Sequence, residues 1–258
     1  MALHREEEKV EPQHLPQTIL TYFTIRLNQK KKATELGSMK MSRKAYFNQA
    51  AESWDQEYYT PKLETFLEKL VPMFSLRFGQ RTLDLGTGTG VLIPFLIKAV
   101  GPSGSVTAID YSERMVQICR AKYSHLKNVR VILQDAEELD LPREYFDVIT
   151  CFGIFPHLED KEKALHNMNY VLKLRGKLII AHALSSDEIQ QHHKRTPPVA
   201  QDRLPEETVM KRLLKRAGFS KIHITDEPSL YLCLATKNAA FQQTLMKQDI
   251  SHKNHDVK

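Results

Sequence analysis

Three carboxylates stand out by where they fall. Asp84 opens the run Asp84-Leu85-Gly86-Thr87-Gly88-Thr89-Gly90, Asp110 closes the next apolar stretch, and Asp135 follows a third as Gln134-Asp135-Ala136. Alternating glycines permit a tight turn and let a ligand lie against the backbone. An acid at the end of the following strand is placed to accept hydrogen bonds from a ribose diol. A dinucleotide fingerprint needs G-x-G-x-x-G, but position 91 is Val, so the spacing here is G-x-G-x-G. Four histidines form a second chemical group: His157 after Cys151-Phe152, His182 within Ala181-His182-Ala183, and the pair His192-His193. An imidazole near a reacting hydroxyl or carbon can take its proton. His157 and His182 are the candidate bases, against the alternative that His157 hydrogen-bonds to backbone at a helix entry. His182, His192 and His193 lack a defined metal-ligand spacing, and no metal site is expected.

These groups need strands to end at them. Helical spacing and stop signals predict helices over Ser42–Asp55, Pro61–Ser75, Gly90–Val100, Ser112–Tyr123, Asp160–Leu174 and Pro205–Ala217. Apolar runs predict strands over Thr82–Leu85, Ser105–Asp110, Val129–Leu133, Phe146–Phe152, Lys177–Ala183, Lys221–Thr225 and Leu230–Thr236. Gly176 reads as the stop of the helix before the fifth strand. Nearly continuous Val/Ile/Leu strands joined by helices indicate an α/β fold with helices on both faces of a mostly parallel seven-stranded sheet. The last two strands, with Glu227-Pro228 between them, form an antiparallel hairpin. Residues 187–195 lead into a loop over 196–204, and an insertion here is expected to cover a substrate.

The chain has 258 residues and a formal charge of +6. Seven Lys/Arg and five Asp/Glu lie in residues 1–40, and four Lys and two Asp in residues 237–258. The stretch between is near neutral, which argues against nucleic acid as partner. Residues 1–40 read as a flexible extension with one apolar patch at Ile19–Leu27; Gly37-Ser38-Met39 looks like a cloning junction before a second start. Residues 41–237 form the domain, and 238–258 a polar tail. The longest apolar run, Val91–Ile97, is far short of the roughly 20 residues of a membrane span. Three scattered cysteines and the lack of an apolar leader fit the cytoplasm. No signal bears on oligomeric state.

In order and spacing, LDLGTGTG, AIDYSERM, QDAEEL, YFDVITCFGIFPHL and VLKLRGKLII resemble the motifs of class I S-adenosylmethionine-dependent methyltransferases, and the small quinone-type C-methyltransferases look nearest. The resemblance runs from about Met41 to Lys237 and implies a Rossmann-like sheet with S-adenosyl-L-methionine as cofactor. By it, Gly86, Thr87, Gly88 and Gly90 form the cofactor turn, Asp84 helps hold the ammonium group through water or backbone, and Asp110 takes the ribose hydroxyls. Tyr111 and Met115 pack near the adenine, Asp135 and Ala136 bind its edge, and Cys151 and Phe152 line the pocket. Carboxylates suit a cationic sulfonium bearing diol and amine donors, and the turn has no Lys or Arg for a phosphate. Tyr46 and Trp54 close over the site from an entry helix, or else form an ordinary buried face with Phe47, Ala50 and Ala51. With His192 and His193 they complete a substrate lid. The Asn/Asp-Pro-Pro-Tyr and Pro-Cys motifs of base-modifying relatives are absent, so Cys151 is not expected to be a nucleophile. The implied reaction is methyl transfer to carbon or oxygen of a small molecule. An RNA or protein methyltransferase and a non-catalytic cofactor-binding scaffold are the rival readings.

Overall fold

The computed structural model describes residues 41–239. The extension 1–40, with its apolar patch, and all but two residues of the tail 238–258 lie outside the described residues.

Seven strands form one sheet: β1 (Arg81–Leu85), β2 (Ser105–Asp110), β3 (Val129–Leu133), β4 (Phe146–Phe152), β5 (Leu172–His182), β6 (Phe219–Glu227) and β7 (Leu230–Lys237). Their order is β3-β2-β1-β4-β5-β7-β6. The first five run parallel, and β7 is antiparallel to both β5 and β6, as the hairpin reading requires. The chain reverses its direction of travel between β1 and β4, which opens a crevice at the carboxyl ends of these strands.

Helices cover both faces, and the strands show it residue by residue. In β5, Leu178 and Ile180 join one buried cluster while Ile179 and Ala181 join another. The first cluster takes Ala164, Leu165 and Met168 from α6 (Lys161–Val171) and Met210 and Leu214 from α8 (Glu207–Arg216). The second takes Leu67, Leu70 and Val71 from α3 (Pro61–Met73), Ile93 and Leu96 from α4 (Ile93–Val100) and Cys119 from α5 (Glu113–Tyr123). A period of two sends alternate side chains to opposite faces, so a strand buried on both sides reads as continuously apolar.

Three expectations are corrected. The helix read over Ser42–Asp55 is two, α1 (Arg43–Ala50) and α2 (Trp54–Tyr58), although no Gly or Pro separates them. Contacts beyond the segment set the break: Glu52 pairs with Arg114, and Asp55 with Lys122 and Thr89. The helix over Asp160–Leu174 stops at Val171, and Gly176 lies inside β5 instead of capping a helix. Lys237, 1% exposed, explains the early stop: its Nζ donates to the carbonyls of Asn169 and Leu172, both at 2.8 Å, and pairs with Glu144. Gly176 sits where a Cβ would meet Leu172 Cγ at 2.7 Å and the Lys173 carbonyl at 2.8 Å, so its role is close packing in an irregular strand. The third is α7 (Ser186–His193), in a stretch read only as leading into a loop. Ser185 and Glu188 form a capping box there, the S-x-x-E signal that could have announced it. Among the described residues no helix is long and apolar enough to cross a membrane.

Lys237→Met keeps the buried stem but strands two helix-end carbonyls and the Glu144 carboxylate. The expected loss is about 2–4 kcal/mol of unfolding free energy, measured by urea denaturation.

Candidate functional site

A cavity of about 700 Å³ lies at the carboxyl ends of β1 to β5, within the usual range for small-molecule sites. Its floor is the turn after β1 and the strand-end residues Asp110, Asp135, Phe152 and His182; its roof is α1, α2 and the segment from His192 to Val199.

The turn is built around two buried acids. Asp84, 2% exposed, accepts hydrogen bonds from Thr87 Oγ1 at 2.7 Å and Thr150 Oγ1 at 2.8 Å, so it joins the turn to β4. Asp110, 7% exposed, accepts from the backbone N–H of Gly88 and of Ser112, each at 2.9 Å. Ser112 in turn caps α5 by accepting from Met115 N–H. Burial pushes both carboxyls up to about 6, against these hydrogen bonds. Two of the glycines serve different ends. Gly86 (φ 70°) has Ile154 so close that a Cβ would meet its Cδ1 at 2.2 Å, and Gly90 (φ 92°) is pressed against Tyr123 and Cys119. Of the three turn glycines, Gly88 has nothing nearer than 3.9 Å to an added Cβ, which leaves its face open to the cavity.

Most of the predicted residues meet in this one space. Gly86, Thr87, Gly88, Asp110, Tyr111, Met115, Asp135, Ala136 and Phe152 line it, as do Tyr46, Trp54, His157, His182, His192 and His193. Asp84, Gly90 and Cys151 do not. Asp84 and Gly90 shape the turn from behind, and Cys151, 1% exposed, points into the core with Met168 4.0 Å from its sulfur. Burial raises the Cys151 thiol well above its ordinary range, which removes it as a nucleophile. Of the face formed by Phe47, Ala50, Ala51 and Trp54, only Ala51, between α1 and α2, is fully buried; the other three are half-buried. The aromatics Tyr46, Phe47, Trp54 and Tyr58 line the cavity. The Phe47 ring contacts those of Tyr46, Trp54, Tyr111 and His157 with centroids 5.1 to 6.2 Å apart.

The histidine end holds what the sequence did not announce. His157 lies on a short 3-10 turn, Phe155–His157, and its Nδ1 is 2.8 Å from Asp202 Oδ2 rather than on a backbone carbonyl. Asp202, 4% exposed, also receives Arg43 through Nε at 3.0 Å and Nη2 at 2.6 Å, and Arg43 further pairs with Glu159. His193 Nδ1 lies 2.8 Å from the Asp202 carbonyl. Burial opposes ionisation of Asp202, but the bonds from His157 and Arg43 hold its carboxyl below the usual range. Burial pulls His157 below 6.5, while Asp202 acts the other way. His182 is pushed down to about 3 by burial and by its three histidine neighbours, so it stays neutral, and its buried Nδ1 has no partner. Gln134 Oε1 is likewise a buried acceptor without a donor, on a residue that lines the cavity. Among the described residues no group of three or more His, Cys, Asp or Glu side chains could hold a metal ion.

Comparison with known proteins places this geometry. The family described as Methyltransferase domain matches residues 77–248, two thirds of the chain. The chain belongs to that family. Among curated methyltransferases, the ubiquinone/menaquinone biosynthesis C-methyltransferase UbiE of Vibrio campbellii is 41% identical over 107 residues, 40% of this chain and 41% of that protein. The demethylmenaquinone methyltransferase of Staphylococcus aureus is 37% identical over 113 residues, 43% and 46% of the two chains. The chain thus spans less than half the length of the curated relatives it matches. A solved methyltransferase, described as SAM dependent, from Aquifex aeolicus superposes with a TM-score of 0.61 at 26% identity, covering 74% of this chain and 98% of that one.

The buried Asp84 gives the site a pH signature. Its folded-state pKa lies above the unfolded value near 3.8, so the native protein holds the extra proton between about pH 4 and 6 and loses stability as pH rises through that window. Asn in its place can keep both threonine hydroxyls as partners. Asp84→Asn is therefore expected to be more stable than wild type by about 1–3 kcal/mol at pH 7 and equal to it near pH 4, as read from paired thermal melts.

Proposed function

We propose that the protein transfers a methyl group from S-adenosylmethionine to carbon or oxygen of a small, planar, unsaturated molecule in the cytoplasm. The observation that carries this reading is one cavity joining Gly86–Gly88, Asp110 and Asp135 at one end to an aromatic and histidine wall at the other. The residues present fit the cofactor. Gly88 leaves room for close approach, Asp110 and Asp135 put acceptors where a diol and an amine would sit, and Gln134 Oε1 is a buried acceptor in want of a donor. Bound there, the sulfonium would supply an activated methyl group. The protein's part is then to orient the acceptor and to exclude water. Phe47, Trp54 and Tyr58 do the second as a packed aromatic roof, with the Trp54 and Tyr58 rings 4.4 Å apart. The free, buried cysteines support the compartment. We read residues 41–237 as the catalytic domain, with the segments on either side as extensions.

A quinone-like acceptor is the best-supported class. It rests on the named activities of the Vibrio and Staphylococcus proteins together with the cluster of edge-on aromatic rings around Phe47. An RNA or protein acceptor has less support, since the excess charge of the chain falls largely in its two ends.

Calorimetry tests the cofactor assignment. S-adenosylhomocysteine is expected to bind and NAD not to. Asp110→Ala removes hydrogen bonds to a charged acceptor and should weaken S-adenosylhomocysteine by about 3 kcal/mol, roughly a hundredfold. Wild-type protein that ignores S-adenosylhomocysteine would refute the reading.

A further inference from the structure

Three segments far apart in the chain converge on one carboxylate. Asp202 comes from the insertion after α7, His157 from the turn after β4, and Arg43 from the first residue of the roof helix α1. An ionised carboxylate only accepts hydrogen bonds, so His157 Nδ1 must be the nitrogen that carries the proton. That assigns the tautomer. Nε2 is left as the acceptor nitrogen, on a ring that lines the cavity and stands edge-on to Phe47 with centroids 5.1 Å apart.

We propose that His157 is the base that takes the hydroxyl proton of a planar, hydroxyl-bearing ring held against Phe47, with Asp202 and Arg43 as its positioning residues. This rests on the methyltransferase reading above. His182 lacks what His157 has: its Nδ1 has no partner to set a tautomer.

The step balances. His157 Nε2 forms a bond to the hydroxyl proton as the O–H bond breaks, and the electron pair stays on the ring system. That pair, from oxygen or from the carbon beside it, bonds to the methyl carbon, and the C–S pair leaves on a neutral thioether sulfur. Where carbon is methylated, the resulting dienone regains its hydroxyl when the ring C–H proton moves to oxygen. One proton remains on His157 and passes to solvent.

Arg43 adds a constraint. It grips Asp202 through two nitrogens while its own helix carries Tyr46 and Phe47 on the cavity wall. Seating the roof over the acceptor and fixing the base are one event. The charged and titratable groups acting on His157 are Asp202 from the insertion, His193 from the end of α7, Arg43 from α1 and His182 from β5. Lys161 of α6 faces Asp202 and Arg43. Asp202 raises the affinity of His157 for a proton, so removing it should move any rising pH limb to lower pH.

The test uses 4-nitrophenol, whose phenolate absorbs in the visible, with full-length protein and saturating S-adenosylhomocysteine. Wild type is expected to bind the probe as phenolate at a pH where the free probe is mostly protonated. His157→Gln should bind it protonated. Asp202→Asn and Arg43→Gln should lower the bound phenolate fraction at least tenfold at that pH, move the midpoint of phenolate formation to higher pH in Asp202→Asn, and leave S-adenosylhomocysteine affinity within about twofold. Long-range proton–nitrogen NMR of labelled histidines should show His157 as the Nδ1–H tautomer in wild type and mixed in Asp202→Asn. Cofactor binding with no phenolate in wild type, or a phenolate that survives both His157→Gln and Asp202→Asn, overturns this proposal alone. Failure of wild type to bind S-adenosylhomocysteine sinks it together with the cofactor assignment.

Discussion

The site depends on a charge kept out of water. Asp84 lies one residue before the end of β1 in full burial, and an ionised carboxylate there is tolerated only because threonine hydroxyls reach both of its oxygens. One of them, Thr87, belongs to the glycine turn; the other, Thr150, belongs to β4. The same carboxylate thus ties the turn to the neighbouring strand across the point where the sheet changes direction. The second acid repeats the device on the other side, holding Gly88 and Ser112 by their backbone N–H groups. Between them they determine the path of the turn, and the position of the cavity floor follows.

Local signals made the sheet legible. Strands buried on both faces are apolar throughout, and five of the seven begin and end within a residue of where their runs of Val, Ile and Leu do. β5 and β6 are longer at their starts, and β5 shows why. Its entry is decided by Lys237, sixty-five residues away from Leu172, taking the carbonyls that would have extended a helix. A side chain arriving from a distant strand leaves no mark in the helix it terminates. α7 is the opposite case, since Ser185 and Glu188 were visible and only their spacing needed to be weighed.

The glycine turn and its acids were equally readable, because their spacing is a local property. Asp84, Gly90 and Cys151 stand behind the cavity lining, since a motif records neighbours in sequence but not the side that faces the open space. The histidine end could be listed but not assembled. Nothing near Asp202 or Arg43 marks them, and what joins them to His157 is a hydrogen-bonded convergence of positions 43, 157 and 202 that exists only in the folded chain.

The roof is attached differently from the rest. α1 and α2 bury no residue of their own and are fastened by polar contacts: Asn48 to Ser112 and Glu113, Asp55 to Thr89 and Lys122, Arg43 to Asp202. Such contacts exchange readily with water, whereas the strands beneath are locked by two apolar layers. Opening the roof therefore costs a small fraction of global unfolding, and amide exchange there should run ahead of the sheet by orders of magnitude. A small molecule can enter and leave through the part of the molecule least invested in the fold, with the floor left undisturbed.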